Sequence, residues 1–358
     1  MRGGERVLQS ICGMFPNADL YTLVHVPGSV TPAIEQRRIH TSFIQRLPNA
    51  RRWYRHYLPL FPTAIELLDL DAADLIVSTS HCAAKSVVPA GRAKHLCYCH
   101  TPMRYVWDQF DAYFGPERLG RWPSAAARVA ASWLARWDRR TAGRVHRYVA
   151  NSAYVAGRIA RYYNRRATVV HAPVDTVFFT PADRPTPDPS PYFLVVSALV
   201  PYKRLGIAIA AAEQVGARLK IIGTGPDEAR LRATAGPAVE FLGAVSDEVL
   251  RDAYRGATAL VLPAEEDFGI GPLESLACGR PVVALGRGGA CETITHGVTG
   301  LLVEEPTADM FAEGMRGVAA QPFDAAVLRA HAERFSTVRF ETAFREVLRD
   351  TMTTDTAW

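Results

Sequence analysis

Long apolar runs are missing from this chain of 358 residues, and no stretch approaches the roughly 20 apolar residues that a membrane-spanning helix needs. No apolar signal segment follows the N-terminal Met-Arg-Gly-Gly-Glu-Arg, so we expect a cytoplasmic protein. The six cysteines form no Cys-x-x-Cys pair, which is typical of reduced thiols. A composition of 48% hydrophobic and 22% charged residues is typical of a soluble globular protein, and the length suffices for two domains.

Acidic residues are scarce in the first half of the chain. Residues 1–172 contain 24 Lys and Arg but 11 Asp and Glu, a balance of +13. Residues 173–358 contain 17 Lys and Arg against 25 acids, a balance of −8. This asymmetry indicates two domains with different partners, of which the basic one attracts an anionic surface or substrate. No nucleic-acid recognition motif accompanies these charges, so nucleic acid is not an expected partner.

The second half alternates short apolar strands with helical patterns. We expect strands at 193–197, 218–222, 239–242, 259–262, 281–285 and 300–303, with helices at 205–215, 226–234, 246–254, 272–278 and 290–295. The first half alternates less regularly, with strands near 19–25, 37–41, 74–79, 95–99, 147–151 and 168–171, and helices at 5–14, 124–143 and 153–164. Such repetition predicts parallel sheets covered by helices on both faces.

A proline-rich segment separates the halves, because residues 181–191 contain five prolines and read as an extended linker. We therefore predict a first domain at 1–172, a linker at 173–191 and a second domain at 192–335. A C-terminal helix within 336–358 is expected to cross back onto the first domain. Two doubly wound domains joined in this way would face each other across a ligand-binding cleft.

Glu266 and Glu274 bracket the most informative stretch, Glu-Asp-Phe-Gly-Ile-Gly-Pro-Leu-Glu. The apolar run before it reads as a buried strand, the two glycines as a sharp turn, and Pro272 as the first residue of a helix. Exposed backbone N–H groups at the start of that helix would suit a diphosphate, and the two carboxylates would accept hydrogen bonds from sugar hydroxyls. The alternative is that these acids only cap a helix or face solvent.

Several short motifs together resemble glycosyltransferases of the GT-B fold, family four, which are retaining enzymes that use nucleotide sugars. The chain is especially similar to mannosyltransferases of bacterial O-antigen and exopolysaccharide assembly. The motifs span nearly the whole chain, and they are Arg-Gly-Gly-Glu-Arg at 2–6, His-Thr-Pro at 100–102, Ala-Asn-Ser at 150–152, Pro-Val-Asp at 173–175, Leu-Val-Pro-Tyr-Lys-Arg at 199–204, Gly-Thr-Gly-Pro at 223–226 and the stretch from Glu266 to Glu274.

The resemblance implies roles for individual residues. Catalytic roles fall to His100, Lys203, Arg204 and Glu266. Donor-binding roles fall to Gly3, Gly4, Gly223, Gly225, Val245, Phe268, Gly269, Ile270, Gly271 and Glu274. Lys203 and Arg204 would clamp the departing diphosphate, so that no metal or other cofactor is expected. Glu274 would bind the ribose, Glu266 and His100 the transferred sugar, and a loop holding Gly3 and Gly4 the phosphates or the acceptor.

Other interpretations of these residues stay open at this point. Lys203 and Arg204 also read as an ordinary exposed basic pair, and His100 as a polar residue at a strand end. Cys97, Cys99 and His100 could suggest a metal site, although the two cysteines fit alternate positions of one strand. The chain also departs from the family pattern, because many relatives carry an arginine where Ala198 stands. Relatives have a strand before the Gly3–Gly4 loop, so the resemblance implies that the first strand of the N-terminal domain is missing here.

The segment 118–147 combines arginines with Trp122, Trp133 and Trp137. It predicts either peripheral contact with an anionic membrane or a helix that packs its tryptophans into the first domain. The expected function is retaining transfer of a hexose, mannose from GDP-mannose, to a lipid-linked or oligosaccharide acceptor in cell-surface polysaccharide biosynthesis, at the inner face of the cytoplasmic membrane. Two alternatives are a non-catalytic subunit that binds nucleotide sugars and a GT-B nucleotide-sugar epimerase.

Overall fold

A computed structural model describes residues 3–182 and 191–353 of the protein. The chain divides into two compact units, Met1–His171 with Phe340–Trp358 and Ala172–Arg339. Most of the predicted proline-rich linker, residues 183–190, lies outside the described residues.

The first unit contains six strands in two parallel groups. The strands are β1 (Leu20–Thr22), β2 (Ile39–Thr41), β3 (Leu75–Ser80), β4 (Lys94–Cys99), β5 (Arg147–Ala150) and β6 (Ala167–Val169). β1 pairs with β2, and the other four form a sheet in the order β3-β4-β5-β6. Within the described residues no strand joins the two groups. β4 and β5 are buried along nearly their whole length, as expected for strands covered on both faces.

Helices of the first unit are mostly short. They are α1 (Gly3–Met14), α2 (Pro32–Glu35), α3 (Ala50–Trp53), α4 (Phe61–Glu66), α5 (Arg104–Trp107), α6 (Phe110–Phe114), α7 (Pro116–Leu119), α8 (Arg121–Arg140) and α9 (Ala153–Tyr163), with 3-10 helices at Phe43–Arg46, Tyr54–Leu60, Ala84–Ser86 and Thr141–Arg144. α9 begins at a Ser152 side chain that accepts a hydrogen bond from the Val155 N–H, and it ends at Asn164 in the left-handed conformation.

The second unit has one parallel sheet of six strands, in the order β12-β11-β10-β7-β8-β9. The strands are β7 (Tyr192–Val196), β8 (Arg218–Ile222), β9 (Val239–Gly243), β10 (Leu260–Leu262), β11 (Val282–Leu285) and β12 (Gly300–Val303). The helices are α10 (Leu205–Val215), α11 (Glu228–Thr234), α12 (Asp247–Gly256), α13 (Ile270–Ala277), α14 (Ala290–Thr293), α15 (Ala308–Ala320), α16 (Ala325–Glu333) and α17 (Thr337–Thr353), with a 3-10 helix at Pro201–Lys203.

Every strand expected in the second half is present, within a residue or two of its predicted bounds. The periodicity of the sequence succeeded here because β7, β10 and β11 are almost wholly buried and therefore form short apolar runs. α15 and α16 were not predicted. From Phe340 onward, α17 belongs to the first unit, where Phe340 and Phe344 pack beside the buried Tyr98.

Candidate functional site

The candidate site of the second unit lies where the chain leaves β7 and β10, two neighbouring strands. β7 is the first strand of the unit, β8 and β9 extend the sheet on one side, and β10 to β12 extend it on the other. The strand order therefore reverses between β7 and β10. In open parallel sheets, ligands bind at the carboxyl ends of the strands beside this reversal.

Lys203 and Glu266 meet at this point. Lys203 ends the 3-10 helix that follows β7, and Glu266 lies in the loop after β10. Lys203 Nζ forms an ion pair with Glu266 Oε1, and the two side chains are 14% and 15% exposed. The sequence predicted both positions but not the direct pairing. Both groups keep a small contact with water, and a role for either in binding a donor stays a prediction.

Arg204 adds a second cation immediately after Lys203. Its backbone takes the left-handed conformation, with φ of 53°, and its side chain is exposed just before α10. Ala198, the departure from the family pattern, is exposed in the preceding loop. The turn after β7 therefore presents one paired cation and one solvent-facing cation.

The loop after β10 makes a sharp turn into α13. Gly269 has a φ of 84°, a conformation that favours glycine, and α13 begins at Ile270. The prediction that Pro272 is the first helical residue was wrong, because it is the third. A proline is still tolerated there, since N–H groups of the first turn have no partner within the helix. Phe268 is buried with its ring centroid 6.0 Å from that of Phe335, which holds the loop to its own unit.

Glu274 lies one turn into α13 and is 6% exposed. Its Oε2 accepts a hydrogen bond of 2.9 Å from the hydroxyl of Tyr254, which is fully buried. Gly271 brings the helix close to the same tyrosine, because a Cβ there would lie 3.4 Å from the hydroxyl oxygen. The tyrosine therefore orients the carboxylate, and the role of Glu274 in binding ribose stays a prediction.

A second glycine-rich loop, at 286–289, supports the loop that contains Glu266, and sequence reasoning missed it. Gly289 donates its N–H to the Glu266 carbonyl at 2.8 Å, and a Cβ at Gly289 would lie 2.3 Å from Phe268 Cα. Gly288, with a φ of 65°, leaves room for the same carbonyl, because a Cβ at this position would lie only 2.4 Å from the Glu266 carbonyl oxygen. The signal was available, because Gly-Arg-Gly-Gly follows a predicted strand and precedes a predicted helix.

Gly223 and Gly225 lie after β8 and allow close backbone approach. A Cβ at Gly223 would lie 1.9 Å from the Ser197 carbonyl oxygen, and one at Gly225 would lie 2.2 Å from that of Leu199. The absence of side chains at these two glycines therefore lets the segment that leads to Lys203 pack directly against the loop after β8. Val245 is half-buried after β9. Contact of these residues with a base stays a prediction.

In the first unit, His100 follows β4 at the carboxyl end of the sheet. Its N–H donates to the Ser80 carbonyl at 2.8 Å, and its carbonyl accepts from Asn151 Nδ2 at 3.1 Å. Burial, with a smaller contribution from the neighbouring His81, lowers the pKa of His100 to about 3. The imidazole is therefore neutral near pH 7, able to donate one hydrogen bond and accept another but not to act as a cation.

Gly3 and Gly4 do not form a loop, contrary to the prediction. They are the first two residues of α1, whose Val7, Ile11 and Cys12 are buried. These buried residues repeat at helical spacing, and the helix that they anchor extends back to Gly3. A Cβ at Gly4 would lie 3.4 Å from His100 Nε2, so this helical turn abuts the imidazole.

Hydrogen bonds and an ion pair hold the segment that follows His100 in place. The indole N–H of Trp107 donates to Asp138 Oδ2 at 2.8 Å, and Asp108 forms an ion pair with Arg158. Asp138 is fully buried and pairs at 2.9 Å with Lys85 Nζ, itself 1% exposed. Sequence reasoning missed this pair. Its signal was that Asp138 is the only acid in residues 118–174.

Cys97 and Cys99 lie in the core of the first unit beside Ala142 and Tyr148. Among residues 3–182 and 191–353, no group of three or more His, Cys, Asp or Glu side chains is arranged to hold a metal ion. The alternation of the two cysteines along β4 is thus a packing feature.

The tryptophans of the arginine-rich segment separate into two environments. Trp137 is 5% exposed and donates its indole N–H to Glu66, whereas Trp122 and Trp133 are 87% and 46% exposed on α8. Trp137 therefore packs into the first unit, as one interpretation predicted, and membrane contact of this segment stays a prediction. No helix among the described residues is long and apolar enough to cross a membrane.

Two family models match the chain in succession. Residues 1–178 match the model "Glycosyltransferase Family 4", and residues 178–335 match "Glycosyl transferases group 1". The two matches together account for both units apart from the C-terminal residues.

Curated relatives name related activities. A D-inositol 3-phosphate glycosyltransferase of Geodermatophilus obscurus is 32% identical to this chain. The alignment covers 61% of this chain and 54% of the relative. A second relative, from Corynebacterium glutamicum, is a GDP-mannose-dependent monoacylated alpha-(1-6)-phosphatidylinositol monomannoside mannosyltransferase. It is 33% identical to this chain, over 51% of this chain and 56% of the relative. The chain thus spans about half the length of these relatives.

Among solved structures, sucrose-phosphate synthase from Thermosynechococcus elongatus superposes with a TM-score of 0.73 at 19% identity, over 97% of this chain and 92% of that one. At this identity the likeness shows the fold alone. It confirms the predicted GT-B class with two Rossmann-like domains.

Proposed function

Because this chain belongs to the family 4 glycosyltransferases, we propose that it is a retaining enzyme that transfers mannose from GDP-mannose to a lipid-linked acceptor in cell-surface polysaccharide biosynthesis. The observation that supports this most is the Lys203–Glu266 ion pair at the reversal of strand order. It combines a cation for a departing diphosphate with a carboxylate for a sugar hydroxyl.

Negative charge builds on the diphosphate as its bond to the sugar breaks. A fixed cation at that oxygen lowers the energy of the transition state more than that of the bound donor. In this proposal Lys203 turns from Glu266 to the diphosphate, Arg204 joins it, and the N-terminal end of α13 adds backbone N–H groups. No metal ion takes part, because these groups supply the positive charge.

Glu266, released from Lys203, then accepts hydrogen bonds from hydroxyl groups of the transferred sugar. Glu274 accepts from the ribose, in an orientation fixed by Tyr254. Glu266 is a binding group in this proposal and not a nucleophile, since the family retains configuration by attack on the same face with the leaving phosphate accepting the proton. The neutral His100 serves as a hydrogen-bonding group for the sugar.

The choice of mannose rests on the Corynebacterium glutamicum relative, whose name specifies GDP-mannose and a phosphatidylinositol mannoside. The Geodermatophilus obscurus relative is named for D-inositol 3-phosphate, an acceptor without a lipid. We favour the lipid-linked acceptor because α8 exposes Trp122 and Trp133 among arginines, as in proteins that lie on an anionic membrane. In this proposal the enzyme works on the cytoplasmic face of that membrane, touching it through 118–147.

Donor choice is tested by thermal unfolding with GDP-mannose, GDP, UDP-glucose and UDP-N-acetylglucosamine in turn. A ligand that binds only the folded protein raises the unfolding temperature, by an amount that grows with the ratio of its concentration to its Kd. GDP-mannose is expected to give the largest shift. Equal shifts from the UDP sugars would contradict the choice of base.

Turnover is tested with radiolabelled donor and a polyprenyl-linked glycan acceptor. Transfer with retained configuration supports the enzyme, and its loss in Lys203→Met supports the site. Binding without transfer would favour the non-catalytic subunit instead. Interconversion of free nucleotide sugars without acceptor would favour the epimerase.

A further inference from the structure

The first unit has a second basic and aromatic surface, to which the proposed function assigns no role. It is formed by α3 and the 3-10 helix that follows, and we call it the Arg51–Leu60 surface. Its exposed members are Arg51, Arg52, Trp53, Arg55, His56, Pro59 and Leu60.

The charge of this surface has one sign. No Asp or Glu occurs between Glu35 and Glu66, and Glu66 itself is engaged by Trp137 and Arg144. Arg51 and Arg52 form no ion pair with the described residues. Two neighbouring exposed guanidinium groups in a stretch of chain without acids would attract an anion.

Apolar side chains stand beside these charges in solvent. Trp53 is 48% exposed, Leu60 40%, and Phe43 of the neighbouring 3-10 helix 38%. That helix, Phe43–Arg46, packs against both α3 and the 3-10 helix Tyr54–Leu60. Arginines beside large apolar groups suit the boundary between lipid headgroups and acyl chains.

The inner side of the segment is anchored, so these residues are presented on a firm base. Tyr54, Tyr57 and Leu58 pack against the cluster of buried residues that includes Phe61 and Ile65. The Tyr57 hydroxyl also donates to the Pro48 carbonyl at 2.7 Å. The exposure of Trp53 is therefore a property of a packed element.

We propose that the Arg51–Leu60 surface binds an anionic lipid bilayer, as a second contact in addition to α8. The arginines bind headgroup phosphates, while Trp53 and Leu60 enter the interface. The inference rests on the proposed function to the extent that a lipid-linked acceptor brings the enzyme to a bilayer. Aliphatic Leu60 and Pro59 favour lipid over nucleic acid, whose bases bind by stacking on aromatic rings.

Sedimentation of the full-length protein with phosphatidylcholine vesicles, with and without phosphatidylglycerol, tests this. Each basic residue near an anionic surface contributes roughly a fivefold factor, so the double variant Arg51→Gln, Arg52→Gln should bind anionic vesicles about 30-fold more weakly. Trp53→Ala should weaken binding several-fold. The controls Arg345→Gln with Arg349→Gln and Met352→Ala change exposed residues of α17 in the same unit. They should leave binding unchanged, because they lie outside the Arg51–Leu60 surface.

Three results would overturn the inference: equal binding to neutral and anionic vesicles, unchanged binding of both the arginine variant and Trp53→Ala, or displacement from vesicles by an oligonucleotide that binds more tightly. Transfer to a detergent-soluble acceptor analogue is measured in parallel without vesicles. If transfer persists but the substitutions do not change vesicle binding, the proposed function is supported and the role of the Arg51–Leu60 surface is refuted. If the protein and its variants bind vesicles as expected but no transfer occurs, the membrane surface is supported and the proposed function is refuted.

Discussion

Each unit of this protein contains a lysine–carboxylate ion pair, and the two pairs differ in their access to water. Lys85 and Asp138 of the first unit are 1% and 0% exposed, whereas Lys203 and Glu266 of the second are 14% and 15% exposed. Coulomb attraction between unit charges is stronger in the interior, but so is the cost of leaving one of them alone. The buried pair is therefore part of the fold, and the more accessible pair is the one at which we propose that a ligand replaces a partner.

The partners of each pair support this contrast. Lys85 Nζ also donates to the Asp138 carbonyl at 2.6 Å and to Thr141 Oγ1 at 3.2 Å, while Asp138 Oδ2 accepts from Trp107 and Tyr163. Glu266 instead stands on a loop whose backbone, through its carbonyl, is held by Gly289. In the first unit several further hydrogen bonds hold the two side chains, whereas in the second the bond from Gly289 holds the backbone of Glu266.

The largest expected effect follows from breaking the buried pair. Lys85→Met leaves Asp138 as a buried charge without its cation, which should lower the free energy of unfolding by about 3–5 kcal/mol. Denaturant unfolding measures this. Adding Asp138→Asn should restore much of the loss, because the amide oxygen still accepts from Trp107 and Tyr163. A double variant less stable than Lys85→Met would show that the pair itself is not the cause.

Breaking the accessible pair should affect activity more than stability. Lys203→Met removes charge at the diphosphate and should reduce kcat by roughly 100-fold to 1,000-fold, the range seen when one transition-state donor is lost. The free energy of unfolding should fall by less than in Lys85→Met, because Glu266 still reaches water while Asp138 does not. Arg218→Gln, which removes an exposed arginine near Glu240, is the matched control for charge. Unchanged kcat in Lys203→Met would remove the basis of the proposed mechanism.

Sequence reasoning found the two accessible residues because each follows a predicted strand, and the ends of neighbouring parallel strands meet at one edge. It did not find Lys85 with Asp138, since these residues are 53 positions apart and belong to no periodic pattern. Short helices at 43–66 and 104–119 were also missed. Segments of four to seven residues form there because tertiary packing favours them, not because of their own propensity.

Histidines of the first unit extend the comparison to pH. His95 is fully buried, with Nε2 2.8 Å from Ser78 Oγ and Nδ1 3.3 Å from the Arg144 carbonyl, which fits a neutral ring. Burial lowers the pKa of His95 to about 3, as it does that of His100. The unfolded chain binds protons below about pH 6.5 while the folded protein does not, so stability is present above pH 6.5 and falls as the pH approaches 3.

Unfolding in denaturant at a series of pH values measures this fall. His95→Asn should unfold more easily at pH 7, and its stability should decline less steeply between pH 6 and 4, by up to about 1.4 kcal/mol per pH unit. Parallel curves for the two proteins would show that His95 is protonated in the folded state. The rate of transfer, by contrast, should show no dependence on pH near 6.5 that is due to His100.

Helix caps give the smallest effect, and they compare the same interaction in the two units. Ser152 caps α9 in the first unit and Ser246 caps α12 in the second, each accepting from the N–H three residues later. Alanine at either position should cost about 1 kcal/mol of unfolding free energy. Ser152 is fully buried, so its loss leaves the Val155 N–H without water, and it should cost more than the loss at the exposed Ser246. Equal losses would mean that water reaches the start of α9, and that the carboxyl end of the first sheet is more open than its buried side chains indicate.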